Sequence, residues 1–255
     1  MKSAVIVPTN RPERIEEFTR EWGYWFNRPD VRLLVVEDAP ESACTLPDWV
    51  EHYCHADIAT QLGERAECIP TRSGGIRDFG FWLAGRDGSI DMIVSMDDDV
   101  LPIDGVDFLA EHWKALETEY IQGWHQVIPD FRVRGDPYTG ERVKPVLNLG
   151  LWRGFPDVDA YTQLSDPECE SKFNRLMAVP PATQLIGKGV YYPQCGMNFA
   201  FRREVAPFVY FPKLPEGMKR WDDIWCGYVF KRLADGWNMA VTVGPPLLRH
   251  DRASN

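Results

Sequence analysis

Met92-Ile93-Val94-Ser95-Met96 runs directly into Asp97-Asp98-Asp99. The first five residues read as a buried strand, because the run is apolar and too short for a helix. Three adjacent carboxylates at its end repel one another, and a solvated turn gains nothing from that crowding. A divalent cation reverses the cost, since Mg2+ and Mn2+ prefer hard oxygen ligands. In open α/β sheets ligands bind beyond the carboxyl ends of the strands, where this triplet lies. The competing reading is an acidic turn that caps the next helix.

Working upstream, residues 3–7 and 31–37 are two further apolar runs, closed by Pro8-Thr9 and by Asp38. Asn10-Arg11-Pro12 has the form of an N-cap with proline in the first turn of a helix over 14–26. Residues 39–72 are mixed, with a short helix placed near Trp49. Gly74-Gly75 precede a helical pattern over 76–84, and Asp104 is placed to cap a helix over 106–118. Strand and helix thus alternate through the first half. That predicts an α/β fold with a mostly parallel central sheet flanked by helices. From Gly123 to Pro215 the pattern loosens, with β-like pieces at 143–147 and 198–201. A helix over 222–234, a strand over 239–243 and the tail Leu248-Arg249-His250 follow. No repeat or linker interrupts residues 1–255, which read as one domain.

The 255 residues are 44% hydrophobic and 26% charged, enough to bury a core without disulfide or metal staples. Twenty-eight Lys and Arg against 38 Asp and Glu give a net charge of −10, which argues against nucleic-acid or anionic-membrane partners. No stretch approaches the roughly 18 apolar residues of a membrane span, and the start has no signal-peptide pattern. Six scattered cysteines form no C-x-x-C pair. A cytoplasmic protein with free thiols is the expectation.

Asp38 holds the same strand-end position as the triplet, one strand earlier. Two acidic ends on one sheet edge can divide the work, one at a ribose or base and the other at a metal and its diphosphate. Trp221-Asp222-Asp223 precedes a helix, so either carboxylate is an N-cap or a group that acts on a sugar. His250 is the one histidine with a plausible set of partners, and Cys195 reads as a small buried hydrophobe.

The second half adds a resemblance. Gly150-Leu151-Trp152, then Pro156-Asp157-Val158-Asp159-Ala160 and Thr162-Gln163-Leu164, are similar to the "GLW…PDYDAPTQL" block of the reversibly glycosylated polypeptides. Pro193-Gln194-Cys195-Gly196-Met197-Asn198 resembles that family's "P-x-CGMN" block, and Arg220-Trp221-Asp222-Asp223-Ile224-Trp225 its "RYDDMW". His250 with Ala253-Ser254 resembles its closing "WHSKAS". Pro8-Thr9-Asn10-Arg11, Asp38 and the Asp triplet look like the nucleotide half of a GT-A glycosyltransferase fold.

The resemblance implies a GT-A fold, with residues 1–120 as a nucleotide-binding half and 121–255 as a sugar and acceptor half. It implies a UDP-sugar, UDP-arabinose first, held with Mn2+ or Mg2+, and a mutase that interconverts its pyranose and furanose forms. Thr9, Arg11, Asp38, Arg77, Asp97 and Asp98 are then expected at the nucleotide, with Asp97, Asp99 and His250 at the metal. Trp152, Asp157, Asp159 and Asn198 are expected at the sugar, and Asp222 and Asp223 in catalysis. Family members glycosylate themselves on an arginine within "GYPFSLREG". Here Gly140 falls opposite that arginine, and Arg142 takes the role only through a two-residue slip. A guanidinium with a pKa above about 12 is a poor nucleophile, so weak or no self-glycosylation is expected. Two alternatives stay open: a transferase to an external acceptor, with Asp222 or Asp223 as general base, and a non-catalytic nucleotide-sugar-binding subunit. Homo- and hetero-oligomers both stay open.

Overall fold

Strand β1 (Ser3–Thr9) is buried along its whole length, because it pairs in parallel with β2 (Val31–Glu37) on one side and β4 (Met92–Met96) on the other. Between them lie α1 (Pro12–Phe26), β3 (Val50–Tyr53), α2 (His55–Leu62) and α3 (Asp78–Arg86). Next come β5 (Val100–Pro102), α4 (Phe108–Glu117), β6 (Tyr120–Gln122), β7 (Glu141–Val143) and β8 (Pro145–Gly154). The chain continues through α5 (Ala160–Ser165), α6 (Cys169–Ala178), β9 (Gln184–Leu185) and β10 (Asn198–Arg202). Helix α7 (Asp222–Gly236) and β11 (Ala240–His250) close it. This computed structural model describes residues 1–122, 134, 141–158, 160–179, 181–215, 218 and 221–251.

Among the described residues one sheet runs in the order β3-β2-β1-β4-β10-β8-β11-β5, with β9 beside β11, while β6 and β7 form a separate ribbon. The expected α/β sheet flanked by helices is present. Its first half is parallel throughout, and antiparallel pairs enter where β10 docks between β4 and β8. Strand alternation sends Ala4 and Ile6 to one face, against Phe79 and Phe81, and Val5 and Val7 to the other, against Phe18 and Trp22. Both faces are covered, which is why the runs are continuously apolar. Gly80 makes one of these contacts possible, since a Cβ there would lie 2.4 Å from Ile6. On α1, Phe18, Trp22 and Phe26 stack along one helical face, and each such ring contributes about 1.5–3 kcal/mol by burial.

Some local expectations shift. The segment around Trp49 supplies β3, which extends the parallel sheet, rather than a helix. Helix α4 is capped by Asp107, whose carboxylate accepts from Ala110 N at 3.0 Å, and not by Asp104. The strand expected over 239–243 continues through Pro245 and Pro246 to His250, because register shifts at Gly244 and Pro246 absorb the prolines. Among the described residues no helix is long and apolar enough to cross a membrane.

Candidate functional site

Parallel pairing of β1, β2 and β4 brings Thr9, Asp38 and Asp97 to Asp99 to one sheet edge. Thr9 Oγ1 donates to Asp98 Oδ2 at 2.6 Å, and the Arg11 guanidinium reaches both Asp98 oxygens and Asp99 Oδ2, the last at 3.2 Å. Burial raises the Asp98 pKa, while the bonds from Arg11 and Thr9 oppose that rise. Asp98 is therefore a buried brace that ties two loops together. Asp38 is held by His55 Nε2 at 2.8 Å. Thr9, Arg11, Asp38, Arg77, Asp97 and Asp98, the residues expected at the nucleotide, all line a cleft of about 250 Å3.

Asp99 and His250 are 151 positions apart in the chain and are joined by strand pairing. Strand β11 runs antiparallel to β5 with His250 opposite Val100, and Asp251 N donates to Asp99 O at 2.9 Å. On its other side β11 pairs with β8, where Gly154 has φ +88° and a Cβ would lie 2.4 Å from His250 O. Only glycine fits that turn. The chain then folds so that His250 Nδ1 donates to Phe155 O at 3.1 Å. A carbonyl can only accept, so in the neutral ring this bond sets the tautomer that has the lone pair on Nε2, 3.9 Å from Asp99 Oδ1.

Arg77, expected beside the base or diphosphate, lines both clefts, and its buried guanidinium is tied inward. It donates to Gly74 O at 2.8 Å, to Ser95 Oγ and Gly196 O at 2.5 Å each, and to Asp97 Oδ1 at 2.6 Å. Burial opposes its charge, and Asp97 together with Asp222 and Asp223 outweighs that, so its pKa is raised. Its guanidinium lies over the Phe211 ring at 4.9 Å. Phe211 is in turn pinned by Asp78, a buried carboxylate whose two oxygens both accept Phe211 N–H. Desolvation drives the Asp78 pKa well above the ordinary range. Neither Asp78 nor Phe211 had a sequence signal beyond its type, since the contact spans 133 positions.

A second cleft, of about 640 Å3, shares Arg72, Ser73, Gly74, Arg77 and Asp97 with the first. It is lined as well by Asp99, Asp157, Trp221, Asp222, Asp223 and His250. Helix α7 starts at Asp222 with Trp221 in the capping position, and no side chain caps it. Asp222 is therefore not the helix cap. Its Oδ1 accepts from Asp223 N at 3.1 Å, while Oδ2 is buried with no hydrogen-bond partner. Asp223 accepts from Ile224 N at 2.7 Å and Gly196 N at 3.2 Å. Burial, with Asp222 alongside, pushes the Asp223 carboxyl up to about 7. Trp221, 57% exposed, lines this cleft together with Phe155 and Phe211.

Three expected residues lie elsewhere. Trp152 is 7% exposed, packs on Phe173 and donates to Phe155 O at 3.2 Å, so it is a core ring rather than a sugar platform. Asn198 is fully buried in a chain of bonds. His112 Nε2 donates to its Oδ1 at 2.9 Å, its Nδ2 donates to Leu151 O at 2.7 Å, and Asn148 donates to His112 Nδ1 at 2.9 Å. Both groups of its amide are thus occupied, and Asn198 lines neither cleft. Burial pushes His112 down to about 4, which keeps it neutral. Arg142 is exposed on the β6–β7 ribbon, ion-paired with Glu119 at 3.4 Å, and lines neither cleft. Asp159, Arg220, Gly140 and Ala253-Ser254 lie outside the described residues.

Glu37, Cys44 and His52 bring potential metal donors within 4.8 Å of one another. They satisfy each other without an ion. His52 Nε2 donates to Glu37 at 2.9 Å, Ala43 N donates to the same carboxylate, and desolvation with the Glu37 bond pushes the Cys44 thiol up to about 12. The trio buttresses the loop after β2.

The family model described as reversibly glycosylated polypeptide matches residues 2–255. A probable UDP-arabinopyranose mutase 4 from Arabidopsis thaliana is 34% identical over 269 residues, covering 98% of this chain and 70% of the relative. UDP-arabinopyranose mutase 1 from Oryza sativa subsp. japonica is 30% identical over 271 residues, with the same coverage of 98% and 70%. Among solved structures, S. aureus TarS 1–349 in complex with UDP-GlcNAc aligns at 13% identity and a TM-score of 0.47, covering 100% of this chain and 60% of that one. An overlay that loose carries no argument.

Proposed function

The chain belongs to the reversibly glycosylated polypeptide family, and we propose that it is a metal-dependent UDP-sugar mutase acting on a UDP-pentose, UDP-arabinose first. One observation carries the reading. The strand-end cleft and the larger cleft share Arg77 and Asp97, so a ligand with its nucleotide at the first reaches Asp222 and Asp223 in the second.

The donor set fits a divalent cation. The Nε2 lone pair of His250 faces a carboxylate oxygen of Asp99 at 3.9 Å, within reach of one ion bonded to both. Asp99 and His250 would hold Mn2+ or Mg2+, leaving other positions to phosphate oxygens and water, the usual division for these ions. The bound ion offsets charge on the diphosphate. Asp97, tied through Oδ1 to Arg77, orients the edge of the site.

Ring contraction is a balanced isomerisation. The bond from the anomeric carbon to the pyranose ring oxygen breaks, a bond to the neighbouring ring hydroxyl oxygen forms, and one proton passes from the second oxygen to the first. A carboxyl that titrates near 7 can both give and take that proton, which supports Asp223 as the acid and base, with Asp222 beside it. Asp157 supplies acceptors for hydroxyls, and Trp221 an apolar face for the C–H side of the ring.

The protein incubated with UDP-arabinopyranose and Mn2+ is expected to produce UDP-arabinofuranose by NMR, and to stop when the metal is chelated. Transfer to an added acceptor without furanose, hydrolysis alone, or no conversion overturns the mutase reading.

A further inference from the structure

Three clefts meet at the adjacent residues Arg72 and Ser73. Arg72 lines the strand-end cleft, the larger cleft with Asp99 and Asp223, and a third of about 290 Å3 beside Pro70 and Lys213. The first two are rich in carboxylates, and a diphosphate entering them needs a cation besides the metal. Three arginines are candidates, and two are committed. Arg11 is held by Asp98 and Asp99, and Arg77 by Gly74, Ser95, Asp97 and Gly196. Arg72 is exposed and makes no hydrogen bond or ion pair with any described residue.

Its backbone is a second, independent sign. Arg72 has φ +57°, the left-handed region in which an L side chain is strained. Among the described residues one other non-glycine shares it, Asn238 at φ +58°, just past α7, where asparagine is an ordinary helix terminator. Arginine at 72 has no such excuse. Glycine would adopt this conformation without strain. The loop is also fixed on the far side. Ser73 caps the turn over 74–77 by accepting from Gly75 N at 3.1 Å, and Gly75 packs so closely that a Cβ would lie 2.9 Å from Pro70. An unpaired guanidinium is thus presented, on a stiff and strained loop, where the clefts join.

We propose that Arg72 grips the diphosphate of the nucleotide sugar and so separates nucleoside diphosphates from monophosphates and nucleosides. The proposal rests on the UDP-sugar reading above. The planar fork of a guanidinium matches phosphate oxygens, and lysine reproduces the charge without the fork.

The test is calorimetry with UDP, UMP and uridine, in Mn2+, on wild type, Arg72→Gly and Arg72→Lys, together with melting temperatures. Arg72→Gly is expected to lose tenfold or more in UDP affinity, to bind uridine unchanged, and to melt no earlier than wild type. Arg72→Lys keeps part of the preference for UDP over UMP. A glycine variant that binds UDP as wild type does overturns the role of Arg72 and leaves the nucleotide reading standing. A wild type that binds no UDP overturns that reading, and this proposal with it.

Discussion

The two ends of the joined clefts are built on opposite plans. At the strand ends the polar groups answer one another: Thr9 and Arg11 hold Asp98, and His55 holds Asp38. At the start of α7 they do not. Asp222 keeps an oxygen with no partner, and Asp223 is poised near neutrality by burial and by its neighbour. Buried polar groups are almost always satisfied, so an orphan oxygen on a cleft is a place open to a water or a ligand group. On the proposed reading the strand ends are preorganised to bind the nucleotide, and the start of α7 is held in readiness to react.

Asp223→Asn is the severest break in that contrast. Loss of an acid and base group lowers turnover by roughly 10²–10⁴-fold, while UDP affinity in calorimetry stays near that of wild type. The pH dependence sharpens it. Wild-type turnover is expected to respond to an ionisation close to pH 7, and the variant to lack it. Stability carries the same sign. The folded-state pKa of Asp223 lies above the ordinary aspartate value of about 3.9, so its contribution is whole below that pH and fades as pH rises through about 7. The melting difference between variant and wild type should therefore move in the variant's favour from pH 5 to pH 8. A flat difference returns Asp223 to the scaffold.

Asp99→Asn strikes the junction between the ends. Its carboxylate oxygen faces the His250 lone pair, and the amide nitrogen of asparagine cannot stand in for a charged ligand. Metal-dependent UDP binding is expected to disappear in calorimetry and turnover to fall by about 10²–10³-fold. Affinity equal to wild type with and without Mn2+ would remove Asp99 from the metal site.

The nucleotide end was legible because its strands are continuous apolar runs, whose ends can be read directly. Asp38 and Asp97 to Asp99 needed only the parallel arrangement to meet. His250 was named by resemblance. What joins it to Asp99 is the pairing of β11 with β5 past two prolines, which local pattern reads as the end of a strand. Trp152 and Asn198 failed in the other direction. Their residue types suit a sugar, but side-chain direction at β8 and β10 is set by the sheet, and it turns both inward. Arg72 has no signal at all, since a backbone conformation is not written in a residue type.

Asn198→Ala tests that correction. It removes the Asn198 partner of His112 Nε2 and of Leu151 O in the core, and a buried unsatisfied group costs about 1–3 kcal/mol. The variant is expected to melt earlier with KM for the UDP-sugar unchanged. A raised KM at an unchanged melting temperature would put Asn198 back at the sugar.

Arg142→Ala should produce the smallest effect. Its guanidinium is 69% exposed, Glu119 is 51% exposed, and surface pairs of this kind are worth about 0–1 kcal/mol. Among the described residues its ribbon lines neither cleft. A guanidinium that keeps its proton does not attack an anomeric carbon. Wild type and variant are therefore expected to melt alike and turn over alike. Incubated with UDP-arabinopyranose and Mn2+, neither should gain a pentose in the intact mass. If the wild type carries a stoichiometric adduct that Arg142→Ala lacks, the ribbon reaches the reacting sugar during turnover, and the division between a binding end and a reacting end needs a third, mobile part.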